Sequence, residues 1–121
     1  MPVLLLLEDE SPLREIFRVT IGLLTKDIQV YEFSASESAL THVKENWADI
    51  NLYVLDIRVP GRLNGFELAK EIRHIDPETP IIMTSAFVKP TQKELETYNL
   101  IWMDKPWHLT GIPETILPLI K

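Results

Sequence analysis

Short apolar runs recur along this chain at intervals that leave room for one helix between neighbours. They stand at residues 3–7, 52–55, 81–83 and 100–103, and a fifth segment at 28–33 alternates apolar and polar residues. A run of three to five apolar residues is too short for a core helix, and it has no polar face. It fits a strand buried on both sides. Segment 28–33 is rich in strand-forming residues, and its alternation places it nearer a sheet edge.

The intervening segments carry helical signals. Ser11-Pro12 joins a capping residue to a proline suited to the first helical position. Leu13, Ile16, Phe17, Ile21 and Leu24 then return at helical spacing, which predicts a helix over 12–25. Ser36 can cap a second helix, with Ala39, Leu40, Val43 and Trp47 on its inner face. The stretch "VPGRLNG", residues 59–65, is loop chemistry, after which Phe66, Ala69, Ile72 and Ile75 restore the helical period. Residues 91–98 read as a short polar helix. In the tail, Pro113 suits a first turn and Pro118 would end or kink the helix, so a short last helix is predicted.

Five strands alternating with five helices predict an α/β fold, with residues 1–121 forming one domain. The expected architecture is a flavodoxin-like three-layer sandwich, a five-stranded parallel sheet of order 2-1-3-4-5 covered on both faces. Open sheets of this kind bind ligands at the carboxyl ends of the strands, where the strand order reverses. The chemistry should therefore stand at the strand ends.

It does. The first run ends in Glu8-Asp9, the third in Asp56, the fourth in Thr84-Ser85 and the fifth in Asp104-Lys105-Pro106. Three carboxylates, a hydroxyl and an ammonium would converge. Crowded carboxylates repel, and one takes up a proton unless a cation joins them. With no cysteine and three scattered histidines, a soft metal is disfavoured, while clustered oxygen ligands suit Mg²⁺. The net charge of −6 argues against a direct nucleic-acid surface. No apolar run approaches the ~20 residues that span a membrane, and no signal peptide is visible, so a cytoplasmic location is expected.

The pieces "LLLLEDES", "YVLDIRVPG", "PIIMTSA" and "MDKPW" together resemble the receiver domain of bacterial response regulators, and the likeness runs from end to end. The resemblance implies that Glu8 and Asp9 bind Mg²⁺, with Asp9 the closer ligand. It implies that Asp56 accepts a phosphoryl group from a histidine kinase or phosphotransfer protein, and that the backbone carbonyl of Arg58 joins the metal. Ser85, followed by Ala86, would bond the phosphoryl group, and Lys105 would pair with one of its oxygens. Trp102 falls where the family carries a switch aromatic. The helix 4–strand 5–helix 5 face would serve as the output surface towards an effector domain or partner protein. A receiver is a signalling domain, at most catalysing its own phosphorylation and dephosphorylation. An unphosphorylated scaffold acting by protein contact is the alternative. A phosphohydrolase is disfavoured, because Arg58 stands where such enzymes carry a second acid.

Bland readings compete at several positions. Glu10 is assigned to the positive start of the first helix rather than to the metal. Thr84 competes with Ser85 for the hydroxyl role. His42 and His74 fall on polar helical faces and read as solvated, and His108 reads as a loop residue. Asp104 is read as ion-paired or solvated. Trp102 and Trp107 are either core or an exposed patch. Two departures from the family pattern stand out. Gly65 lies nine places after Asp56, one more than the family commonly shows, and the stretch from Ser85 to Lys105 is about two residues short.

Overall fold

The computed structural model describes residues 1–24, 27–107 and 111–120. Its strands are β1 (Val3–Leu7), β2 (Gln29–Phe33), β3 (Leu52–Asp56), β4 (Ile81–Ser85) and β5 (Leu100–Asp104). Its helices are α1 (Ser11–Leu24), α2 (Ser36–Asn46), α3 (Gly65–Ile75), α4 (Gln92–Thr97) and α5 (Gly111–Ile120), with a 3-10 turn at Trp47–Asp49. The sheet is wholly parallel in the order β2-β1-β3-β4-β5. This is the expected topology.

The period of two along each strand divides the core into two. Leu5, Leu7, Tyr53, Leu55, Ile81 and Met83 face one side and pack with Ala39, Val43, Leu68, Ala69 and Ile72 of α2 and α3. Leu4, Leu6, Leu52, Val54, Ile82 and Met103 face the other and pack with Phe17, Ile21, Ile112 and Ile116 of α1 and α5. Burial on both faces is why the central strands are continuous apolar runs.

Several local expectations are corrected. Ser36 does not cap α2; Ala35 holds the N-cap with extended backbone and no side-chain bond. Ser36 is buried in the first turn, where its Oγ accepts the Leu63 N–H at 3.4 Å. Ile16 is exposed, because the buried stripe of α1 runs through Phe17, Thr20 and Ile21. Trp47 is exposed as well, since α2 ends at Asn46 and the 3-10 turn rotates the indole off its inner face. His42 is half-buried between the rings of Tyr31 and Phe33 rather than simply solvated. Pro118 does not end α5, which runs on to Ile120. Its missing N–H costs one bond in the last turns, and Leu119 and Ile120 still pack against the core.

The turn before β5 is made by Asn99 in the left-handed conformation (φ 52), which Asn tolerates better than most side chains. Arg73 braces this turn by donating to the carbonyls of Tyr98, Asp76, Thr79 and Asn99 at 2.7, 3.1, 2.7 and 2.9 Å. Burial pulls its pKa down, offset by the nearby Asp76 and Tyr53.

The long loop from Asp56 to Gly65 follows a definite path. It is drawn onto the start of α2, where the Glu37 carboxylate accepts the Arg62 N–H at 2.6 Å. Gly61 has a positive φ of 117, and a Cβ there would run into Glu37 and Ser36. Asn64 then caps α3 in a reciprocal box with Glu67. Gly65 donates its N–H to Ile57 O at 2.8 Å, and a Cβ on it would overlap the Asp56 carbonyl. Glycine is required here for close backbone approach. Gly65→Ala should lower unfolding stability by at least about 2 kcal/mol, measured by urea titration, because only backbone can give way.

Candidate functional site

The sheet register brings the strand ends level. Leu7 lies beside Leu55, Asp56 beside Thr84, and Ser85 beside Asp104. Glu8 follows β1 directly, Asp56 closes β3, and Lys105 follows β5. They meet although they are far apart in sequence. Lys105 Nζ lies 2.5 Å from Glu8 Oε1 and 3.3 Å from Asp56 Oδ2. One carboxylate oxygen from each of Glu8, Asp9 and Asp56 falls within 4.8 Å of the others. Glu8 and Asp56 are buried, and Asp9 is exposed. Asp9, Asp56, Ser85, Ala86 and Lys105 line a cavity of about 270 Å³, together with Glu10 and the exposed Arg58 and Phe87.

The electrostatics follow from burial and charge count. Burial pushes the Glu8 carboxyl up to about 7, against the hydrogen bond from Lys105. The Glu10 N–H, donated to Glu8 Oε2 at 3.1 Å, also acts against the rise. Burial likewise raises Asp56, opposed by Lys105, reinforced by Asp9 and opposed again by the Arg58 N–H. Burial alone would lower Lys105, but Glu8 and Asp56 outweigh it and hold the ammonium above its ordinary range. One buried ammonium faces three carboxylates, so negative charge is in surplus. Burial is the main reason that Glu8 keeps its proton up to about pH 7, with the nearby Asp56 charge adding to it. Hard oxygen donors with surplus negative charge fit Mg²⁺.

The remaining expected residues are placed as follows. The Ser85 hydroxyl oxygen accepts the N–H groups of Phe87 and Val88 at 3.1 and 3.2 Å, inside its own loop. Thr84 is fully buried, and its hydroxyl accepts the Trp107 indole N–H at 2.9 Å, so it is engaged away from the cavity. The Arg58 guanidinium lies 4.7 Å from the centre of the Phe87 ring. Trp102 is half-buried against the core; its indole donates to Asp104 at 2.5 Å, and Lys89 lies 5.7 Å from its ring. Trp107 packs on the opposite core with its ring edge-on to Phe17 at 5.6 Å. Glu10 gives its carbonyl to the N–H groups of Leu13 and Arg14, which begins α1. His74 is exposed. His108 lies outside the described residues.

Sequence reasoning missed Arg14. One turn into α1, its Nη1 donates to the carbonyls of Glu8 and Asp9 at 2.8 and 3.1 Å, and its Nε lies 3.7 Å from Glu32. It fixes the backbone under the acidic pair and ties that turn to the edge strand. An Arg on a helix face carries no signal of this in sequence.

Proteins of known structure share this fold. The sequence pattern of the response regulator receiver domain matches residues 4–109. Among curated proteins, the autoinducer 1 sensor kinase/phosphatase LuxN of Vibrio campbellii is 26% identical over 116 residues. The match covers 92% of this chain and 13% of that much longer protein. Among solved structures, chemotaxis protein CheY4 of Vibrio cholerae superposes with a TM-score of 0.82 at 22% identity, covering 98% of each chain. A CheY-like response regulator receiver domain protein from Methanospirillum hungatei superposes at 0.83 with 16% identity, covering 98% of this chain and 92% of that one. These structural likenesses are likenesses of fold; the pattern match is one of sequence and spans most of the chain. The chain belongs to the response regulator receiver domain family, the signalling domains of two-component systems.

Proposed function

We propose that this domain accepts a phosphoryl group on Asp56 from a phosphohistidine of a histidine kinase or phosphotransfer protein. One observation carries the reading: a buried ammonium bridges Glu8 and Asp56 at the floor of a cavity that Asp9 and Ser85 also line. An Asp56 oxygen attacks phosphorus, and the bond to the imidazole nitrogen breaks with its electrons going to nitrogen. The product is an acyl phosphate. The longer relative named as a sensor kinase/phosphatase supports a setting in which phosphoryl groups pass between modules.

Asp9, Asp56, Glu8 and the Arg58 carbonyl are the groups that would hold Mg²⁺. The ion would offset the repulsion between an anionic donor and these carboxylates. Lys105 would transfer its bond from Glu8 to a phosphoryl oxygen. Ser85 would exchange its bonds to Phe87 and Val88 for the same group. Phosphorylation brings about −1.5 to −2 of charge, enough to bias the loops after β3 and β4 between two states. Trp102 would follow Ser85, and the α4–β5–α5 face would carry the change to an effector domain or partner protein. No helix among the described residues is long and apolar enough to cross a membrane, which accords with a cytoplasmic setting.

The direct test is incubation with acetyl phosphate and Mg²⁺, followed by intact mass. One phosphoryl group should be gained by the wild type and none by Asp56→Asn. No gain in the wild type would favour a scaffold that acts by contact alone.

Metal binding should depend on pH through Glu8. Its raised pKa means that the folded protein holds a proton below about 7 that the ion must displace. Mg²⁺ affinity should therefore fall as pH drops below 7, by up to about tenfold per unit, and Glu8→Gln should flatten that slope. The same shift makes the metal-free fold lose Glu8's contribution as pH rises: fully present below 4.5, it is gone above about 7. Titration by calorimetry at several pH values reads the first effect.

Arg58 and Phe87 line the cavity against each other and would shield the acyl phosphate from water. The phosphorylated form should last minutes or more. Arg58→Ala with Phe87→Ala should shorten its lifetime by roughly tenfold, about 1.4 kcal/mol of barrier. Loss of phosphate from the wild type within seconds would refute the shielding.

A further inference from the structure

We propose that Trp107 is a positioning residue for Lys105, and that Thr84 holds it in place. The inference rests on the proposed phosphorylation of Asp56 and adds to it how the lysine is aimed.

Lys105 has a long flexible stem whose ordering is entropically costly. Its side chain is nonetheless only 7% exposed. Two carboxylates hold the ammonium from one side. The third neighbour is the Trp107 ring, which the ammonium overlies at 5.2 Å from the ring centre. This is within reach of a cation–π attraction, and such contacts strengthen when desolvated. The carboxylates alone cannot fix the ammonium for phosphoryl transfer. Glu8 and Asp56 are the groups the reaction re-employs, one for the metal and one for phosphorus. The indole face is a partner that neither the ion nor the phosphoryl group competes for.

Trp107 is itself anchored. Its N–H donates to Thr84 Oγ1 at 2.9 Å, and its ring meets Phe17 of α1 edge-on. Thr84 is fully buried within β4, between Met83 and Ser85. The bond therefore joins the loop that carries Lys105 to the strand that carries Ser85. These are the two side chains proposed to close on the phosphoryl group. A movement of either would be felt by the other through one indole.

The test uses the full chain and the initial rate of phosphoryl uptake from acetyl phosphate at saturating Mg²⁺, read by intact mass. Trp107→Leu removes the aromatic face and should slow uptake about tenfold. Trp107→Phe keeps a ring beneath the ammonium but lacks the N–H that Thr84 holds, so it should recover uptake to the level of Thr84→Val, about threefold below wild type, a partial rescue that a general packing role would not give. Thr84→Val keeps the volume of β4 and removes only the acceptor; it should slow uptake at least about threefold, and it serves if Trp107→Leu fails to fold. Labelled with 5-fluorotryptophan, the wild type should show the Trp107 resonance shifting when beryllofluoride and Mg²⁺ are added. Wild-type uptake in Trp107→Leu, or no rescue by Trp107→Phe, would overturn the positioning role. Wild-type uptake in Thr84→Val would overturn the tie to β4, as would a stationary Trp107 resonance. If the wild type takes up no phosphoryl group, the proposed function falls first and this inference with it; an active wild type with unaffected variants defeats the inference alone.

Discussion

An ammonium held between two buried carboxylates is the contact on which the rest of the site depends. Lys105 reaches Glu8 across 97 positions of sequence and Asp56 across 49. Taking such charges out of water is costly, and the cost is offset only when partners and geometry are both in place. The fold supplies them by setting the ends of β1, β3 and β5 at one level. The balance remains incomplete, because Asp9 adds a third carboxylate at the mouth. Burial, with the Asp56 charge adding to it, raises Glu8 towards neutrality, and the surplus of carboxylates makes the cluster receptive to a hard cation. The site is thus neutralised in part by its own lysine and in part by whatever positive charge arrives.

Around this pair the molecule separates what must stay from what can move. The backbone beneath the acids is fixed by Arg14, whose guanidinium binds the carbonyls of Glu8 and Asp9. Gly65 brings α3 against the Asp56 carbonyl, where no side chain would fit. Glu37 and Ser36 hold the long loop after Asp56 against α2. By contrast, Arg58, Ala86, Phe87 and Val88 are exposed, and among the described residues the Ser85 hydroxyl is held by N–H groups of its own loop. Bonds of that kind are exchanged at little cost, because the same groups find water or an anion instead. A rigid floor under an exchangeable rim is the arrangement a covalent switch needs.

Much of this was legible in the sequence, for a physical reason. A strand covered on both faces has no polar alternative, so the central strands appear as unbroken apolar runs. Where each run stops, the next residue meets the carboxyl edge of the sheet. Glu8, Asp56, Ser85 and Lys105 fall together on that basis. The helices were less legible at their margins. Ile16 and Trp47 keep the helical period yet face water, because apolar spacing does not say which neighbour covers the last turn. Ser36 has the composition of a cap but is more useful buried under the Asp56 loop. Arg14 and Arg73 act through long side chains that reach backbone carbonyls of other segments, and no periodicity records such a reach.

The shortened segment between Ser85 and Lys105 is closed by a tight turn that α3 supports. α4 has only six residues, and the chain must turn at once into β5. Asn99 makes that turn by entering the left-handed region, and Arg73 ties the carbonyls on both sides of it to α3. With so little helix, α4 buries Leu95 and no other residue. A further link between the Ser85 and Lys105 loops lies outside α4. It runs through the sheet itself, where Thr84 and Met103 are paired, and through the indole that bridges Thr84 to the segment after β5. The β4–β5 pairing and one tryptophan thus join the two loops directly.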